Sequence, residues 1–168
     1  MTQTREMRLR EKEITDPGEI RTILETCAIC RLGFSEGGVP YVIPINYGYS
    51  YVDGVITVFF HCAGEGRKID IIRQTPIACF EIDRVEREDP KSNPDKIAVK
   101  WESLIGTGTV QFVTDFHEKR KLLGKMMRVF LGYNPHYRPN PLTDDRVHGV
   151  TMFKIVLEEF KAKRVLHI

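Results

Sequence analysis

The stretch "AICRLGFSEGGVPYVIPINYGYSYVDGVITVFFHC", residues 28–62, decides the fold class. It holds three strand-like runs, "AICRLGFS", "VPYVIPINYGY" and "GVITVFFHC", rich in β-branched and aromatic residues. Glu36-Gly37-Gly38 separates the first two and Asp53-Gly54 precedes the third, and both are hairpin-type turn compositions. The expected arrangement is an antiparallel meander. Pro44 interrupts the middle run, and a residue without an N–H belongs at a sheet edge or a bulge. Two readings account for it: a plain edge strand, or an edge whose backbone N–H and C=O groups turn toward a planar heteroaromatic ligand.

Working outward, Asp16, Pro17 and Glu19 form a helix start, and Ile20, Ile23 and Leu24 give it an apolar stripe to about residue 26. Downstream, Gly64 to Gly66 open a second helix that turns Ile69, Ile71 and Ile72 inward and closes near Pro76. "IACFEID" (77–83) and "IAVKWESLIGTGTVQFV" (97–113) read as strands joined by a polar loop, Arg84 to Asp95. "FHEKRKLLGKMMRVFLG" (116–132) reads as a helix with Leu122, Leu123, Met126, Met127 and Phe130 on one face. "YNPHYRPNPLTDD" (133–145) is a proline-rich loop, and "GVTMFKIVLEEF" (149–160) is a closing strand with Phe153, Ile155 and Leu157 alternating. The chain is thus mainly β with helices: a six-stranded antiparallel barrel with peripheral helices, one domain over 1–168.

Composition narrows the partners. With 168 residues, 25 basic and 23 acidic side chains and a net charge of +2, the chain suggests neither a nucleic-acid nor a membrane binder by charge. The N-terminal "MTQTREMRLREKE" carries no apolar stretch, and no apolar run reaches the roughly 18 residues of a membrane helix. A soluble, cytoplasmic protein is expected. Cys27 and Cys30 form a C-x-x-C without a second pair, so they and Cys62 and Cys79 are read as ordinary thiols, with no metal site. His117, His136, His148 and His167 lack ligand spacing and are read as surface or structural.

"FFHCAGEGRKIDIIR", residues 59–73, carries the chemistry. An apolar run ends in His61 and Cys62, a glycine-flanked turn follows, and Arg67 and Lys68 stand where the helix begins. Cations are mildly unfavourable at a helix N-terminus, which already carries partial positive charge, unless an anion sits between them. A phosphate meets that requirement.

In order and spacing, "REMR" (5–8), "GVPYVIPINYGY", "VFFHCAGEGRKIDII", "ACFEID" and "WESLIGTG" resemble the FMN-binding split barrels related to pyridoxamine 5'-phosphate oxidase, and within them the nitroimidazole-resistance (Nim) type. The resemblance runs to about residue 113 and weakly into the last strand. It implies a six-stranded split β-barrel that forms a homodimer, with one FMN in each of two clefts at the subunit interface.

Carried onto this chain, the resemblance gives Arg67 and Lys68 to the FMN phosphate. The backbone of Ile43, Pro44, Ile45, Asn46 and Tyr47 would line the isoalloxazine edge. His61, Cys62 and Ala63 would run under the ring or ribityl chain, and Trp101 and Ser103 would reach the partner's flavin. His61 is the candidate proton donor, with a hydrogen-bonded wall residue as the alternative. The implied activity is an FMN-dependent oxidoreductase that takes electrons from NAD(P)H or another donor and reduces nitroaromatic or related planar electrophiles. A flavin- or haem-binding protein of the same fold without turnover is the alternative, and a cofactor-free dimeric scaffold is a third reading that Arg67 and Lys68 argue against. Cys62 departs from the family's serine, and the 84–95 and 133–146 segments match no family pattern. No basic cluster beyond residues 67–68 stands out for a second phosphate, so pyridoxamine phosphate itself is not indicated.

Overall fold

A computed structural model describes residues 6–87, 99–133, 136 and 141–165. After the short β1 (Glu13–Ile14), α1 (Pro17–Thr26) starts as expected. The Asp16 carboxylate accepts the Glu19 N–H at 2.9 Å, and Ile20, Ile23 and Leu24 are buried. β2 (Ile29–Glu36) and β3 (Val39–Asn46) form a hairpin, as do β4 (Gly48–Val52) and β5 (Val55–Cys62). Both two-residue turns have positive φ throughout, 57° and 85° at Gly37 and Gly38, 50° and 79° at Asp53 and Gly54. That backbone matches the twist of the paired strands and explains the glycines. α2 (Arg67–Gln74), β6 (Ile77–Arg87), β7 (Val99–Phe112), α3 (Phe116–Tyr133), α4 (Asp144–Gly149), β8 (Thr151–Val156) and β9 (Glu159–Val165) complete the described elements.

The strands pair antiparallel in the order β3-β2-β6-β7-β8-β5-β4, with β9 paired to both β7 and β1. The 14-residue β7 is the shared spine. Residues 99–109 pair with β6, residues 101–107 pair with β9, and residues 110–112 pair with β8. The result is an open, split arrangement of two half-sheets.

The expected six strands become nine among the described residues, for physical reasons. The run 39–49 breaks at Tyr47, which is buried, donates its hydroxyl to the Leu24 carbonyl at 2.9 Å and meets Phe80 edge-on at 5.2 Å. The chain leaves one half-sheet there and joins the other. The run 149–160 breaks likewise at Leu157 and Glu158, whose N–H groups donate to Ile56 and Thr107 on different half-sheets. At this corner a Cβ on Gly108 would lie 2.0 Å from the Val156 carbonyl oxygen, so β7 can pass only without a side chain. The third addition is β1, which pairs with β9.

Two apolar clusters result. The larger holds α1, Leu32, Phe60, Phe80, Leu104 and Phe153 between the half-sheets, and the smaller packs Leu122, Leu123 and Met126 of α3 against Phe59, Val113 and Met152. Met127 is only half-buried, and the Phe130 side chain lies outside the described residues. α4 was not expected from the sequence. Its six residues bury only Val147, too short an apolar pattern to show helical periodicity.

Arg84 was expected to open a loop, but β6 continues through Arg87, and residues 88–98 lie outside the described part. The reason is a cross-strand row. Glu102 is buried and accepts from Arg84 Nε and Arg164 Nε, each at 2.5 Å, while Arg164 also donates to Glu19 at 2.8 Å. Burial alone would raise the Glu102 carboxyl, and the two arginines more than offset it, holding it below its ordinary 4.5. A depressed carboxylate stabilises the fold above its unfolded pKa and loses that contribution as pH falls through the folded value. Acid denaturation followed by circular dichroism should therefore show wild-type stability falling faster below about pH 4.5 than that of Glu102→Gln, which is less stable at pH 7. Parallel acid curves would contradict the assignment.

Candidate cofactor site

The site forms where β5 ends and α2 begins. Gly66 sits at φ 115°, a backbone conformation that only glycine adopts without strain, and its carbonyl accepts the N–H groups of Ile69 and Asp70 at 2.8 and 3.2 Å. No side chain caps the helix, so the first-turn N–H groups of Arg67 and Lys68 keep the partial positive charge of a helix start.

Arg67 is fixed from two sides. Its Nε and a terminal nitrogen donate to one oxygen of Glu36 at 3.0 and 2.7 Å, and its guanidinium lies 4.3 Å from the centre of the Tyr41 ring. Glu36 ends β2 and Tyr41 lies in β3, so the β2–β3 hairpin clasps the cation. An ion pair this exposed, 54% and 40% at its two side chains, is worth only about 0–1 kcal/mol and orients Arg67 without consuming its remaining donors. Lys68 is half-buried; burial raises the Cys62 thiol above its ordinary pKa, and the Lys68 charge offsets only part of that rise. No described carboxylate pairs with Lys68. Glu36 and Tyr41 were given no role from the sequence. Tyr41 stood inside a quoted motif, but which α2 face meets the hairpin is a tertiary fact.

β3 is the terminal strand of its half-sheet, so Pro44 occupies an edge, where its missing N–H costs no ladder bond. Ile43 and Ile45 pack partly against the core, whereas Pro44 and Asn46 face outward. The Tyr47 side chain is committed to the core, so it does not face the β3 edge.

His61 and Cys62 are consecutive strand residues and therefore point to opposite faces of β5. His61 pairs with Met152 and Cys62 with Thr151 on β8. His61 is exposed in the single chain, yet the protein packed around it disfavours the imidazolium and lowers its pKa from the ordinary 6.5. Ala63 is exposed beside the turn.

Trp101 and Ser103 are not brought to this cluster within one chain. Trp101 lies nine residues from Val110 along β7, about 30 Å at strand rise. It is half-buried, with the Lys163 ammonium 5.1 Å from its ring centre, on the outer face of the β3-β2-β6-β7-β9 half-sheet. The register puts Ile29, Val42, Ile77, Val85 and Ile105 on that same face, all substantially exposed.

Burial disfavours the thiolate of both C-x-x-C cysteines. Burial pushes Cys27 up to about 11 and Cys30 up to about 12, and their sulfurs meet the Asp83 and Ile45 carbonyls. None of the four cysteines is in a disulfide.

The order of these features, an edge strand with proline, a β5 end and a Gly-Arg-Lys helix start, agrees with a family match over residues 16–164. The chain belongs to the pyridoxamine 5'-phosphate oxidase family. No curated protein is significantly similar to it in sequence. Among solved structures, it is 25% identical to a protein described as a 5-nitroimidazole antibiotic resistance protein from Bacteroides thetaiotaomicron, over 90% of this chain and 86% of that one, with a TM-score of 0.75. A FAD-binding protein from Mesorhizobium loti shares the fold at 18% identity, covering 90% and 96% of the two chains, with a TM-score of 0.61. The FAD and heme binding protein from Mycobacterium smegmatis shares it at 14% identity, covering 93% and 73%, with a TM-score of 0.67. The resemblance seen in the sequence is borne out at the level of family and fold, and flavin binding recurs among the family's structural relatives. Among the described residues no helix is long and apolar enough to cross a membrane.

Proposed function

We propose that this protein is an FMN-dependent oxidoreductase that reduces nitroaromatic or similar planar electrophiles as a homodimer. The observation that carries the reading is the Arg67 and Lys68 pair on an uncapped helix start. One cation is held in place by Glu36 and Tyr41, and the other has no described carboxylate partner. Two cations and free first-turn N–H groups are the donor set that a phosphate monoester requires. The 25% identity to the nitroimidazole-resistance structure supports the substrate class.

When bound, the flavin supplies hydride or electron transfer. The chain's own residues do the rest. Arg67, Lys68 and the α2 N–H groups anchor the phosphate. The edge of β3 from Ile43 to Asn46, running on into Tyr47, offers backbone donors and acceptors to a planar ring. His61 presents an imidazole able to pass a proton, and Cys62 and Ala63 wall the same turn. The outer face carrying Ile29, Val42, Ile77 and Ile105 is apolar enough to mark a protein interaction surface. A second copy docked there would bring its own Trp101 and Ser103 toward the neighbouring cleft.

The purified protein should show flavin absorbance and consume NAD(P)H in the presence of a nitroaromatic acceptor. A colourless protein that does not take up FMN sinks the reading, and a flavoprotein without turnover reduces it to a binder. On dilution, dimer dissociation and flavin release should coincide in sedimentation at flavin wavelengths, because each stabilises the other by mass action. A flavin-loaded monomer would overturn the shared cleft.

A further inference from the structure

A cavity of about 440 Å³ opens on the side of α2 away from Arg67. At about 100° per residue, Ile69 and Arg73 lie about 200° and 240° around the helix from Arg67, and about 100° and 140° from Lys68, so the cavity faces away from Arg67 and flanks Lys68. The floor is apolar: Ile69 of α2, Phe112 and Val113 at the end of β7, and Met152 of β8. The rim is polar and cationic: Arg73 of α2, Lys119 of α3, Thr114 and Thr151, with Gly64 at the mouth. None of these lining residues is acidic.

The two cations come from separate helices, 46 positions apart in the chain, which is why no second basic cluster is visible in the sequence. Lys119 is half-buried, and its ammonium donates to the Val150 carbonyl at 2.8 Å. The neighbouring carboxylates are otherwise engaged. Asp115 accepts the Glu118 N–H at 2.7 Å, and Glu118 pairs with Lys154 at 2.6 Å. Arg73 has only a long, exposed contact of 3.9 Å to Asp70. An ammonium has three donors, so Lys119 retains two for a ligand.

We propose that this cavity binds a small organic anion, a carboxylate carried on an apolar or aromatic body, with the carboxylate between Lys119 and Arg73 and the body on the Phe112, Val113 and Met152 floor. Apolar walls with a few convergent polar groups are the usual build of a small-molecule site. The threonine hydroxyls add neutral donors at the rim. The cavity adjoins the proposed flavin cleft, since Met152 and Thr151 pair with His61 and Cys62 and Gly64 lies in the same turn, but Arg73 and Lys119 have no part in that cleft.

The test uses benzoate as the probe, titrated into the purified full-length protein and followed by amide chemical shifts and calorimetry. Saturable binding is expected, with shifts at Gly64, Thr114 and Thr151, and benzyl alcohol should bind about tenfold or more weakly because it lacks the charge. Lys119→Met keeps the apolar stem and should weaken benzoate by about tenfold. If that variant does not fold, Arg73→Gln on the exposed rim serves the same purpose with a smaller loss. Absent saturation, equal binding of benzyl alcohol, or wild-type benzoate affinity in the variant that folds would each overturn the proposal. Loss of FMN binding in Arg67→Ala with benzoate binding intact would confirm that the two sites are separate.

Discussion

Riboflavin is expected to bind this protein about 10²-fold or more weakly than FMN, because removing the phosphate removes at least two charge-assisted hydrogen bonds of roughly 1.5–3 kcal/mol each. Arg67→Ala should cost FMN about tenfold or more and leave riboflavin nearly unchanged. The clasp sharpens this expectation. Glu36 and Tyr41 hold the guanidinium beside the hairpin before any ligand arrives, so less side-chain freedom is lost on binding. Fluorescence quenching titrations of both flavins against both proteins measure the four affinities. Lys121→Ala on the exposed side of α3 is the appropriate control, since Arg84 sustains the buried Glu102 and its removal would confound folding with binding. Equal affinities of the wild type for FMN and riboflavin would remove the phosphate assignment, and the cations at 67 and 68 would then be explained by Glu36 and solvent.

His61→Ala is expected to slow reduction of the nitroaromatic by about 10²–10⁴, the range for a lost general acid, while FMN affinity stays close to wild type because the proposed anchor is at Arg67 and Lys68. Reduction of the bound cofactor by NAD(P)H should change far less. Stopped-flow measurement of the two half-reactions separates these effects. The lowered pKa of His61 sets the pH dependence. A proton donor must be charged to act, and burial makes this imidazole less protonated than an ordinary histidine at the same pH. The wild-type rate of the second half-reaction should therefore rise as pH falls through a value below 6.5, and His61→Ala should lose that rise. A variant that loses FMN instead marks His61 as a wall of the cofactor site. A variant with wild-type reoxidation and an unchanged pH profile makes the imidazole structural.

Local chemistry was fully written in the chain. Asp16-Pro17 starts α1, Gly37-Gly38 and Asp53-Gly54 turn the hairpins, and Ile69, Ile71 and Ile72 bury one side of α2. Each depends on residues within a few positions of one another, where backbone sterics and short-range hydrogen bonds decide. The family pattern from Pro40 to Lys68 was legible for the same reason, since most of its parts sit on one hairpin, one strand and one helix start.

What the sequence could not determine is everything that depends on which distant segments meet. Two long apolar runs read as single strands because alternation continues across Tyr47 and Leu157. Only the packing of those residues against Leu24, Phe80 and Ile56 shows that the chain changes half-sheets there. Arg84 looked like loop, since its partner Glu102 lies 18 residues on and the second donor to that carboxylate, Arg164, a further 62 residues on, a row no local pattern traces. Glu36 and Tyr41 acquire a role only when α2 lies against the β2–β3 hairpin. Arg73 and Lys119 line one cavity only because α2 and α3 both border the end of β7. By itself, then, the sequence determined the hairpin turns and the starts of α1 and α2, because those follow from short-range sterics and charge. The tertiary structure alone decided the half-sheet crossings, the clasp on Arg67 and the second cationic cavity, because each is a contact between segments whose encounter is set by burial of the whole core.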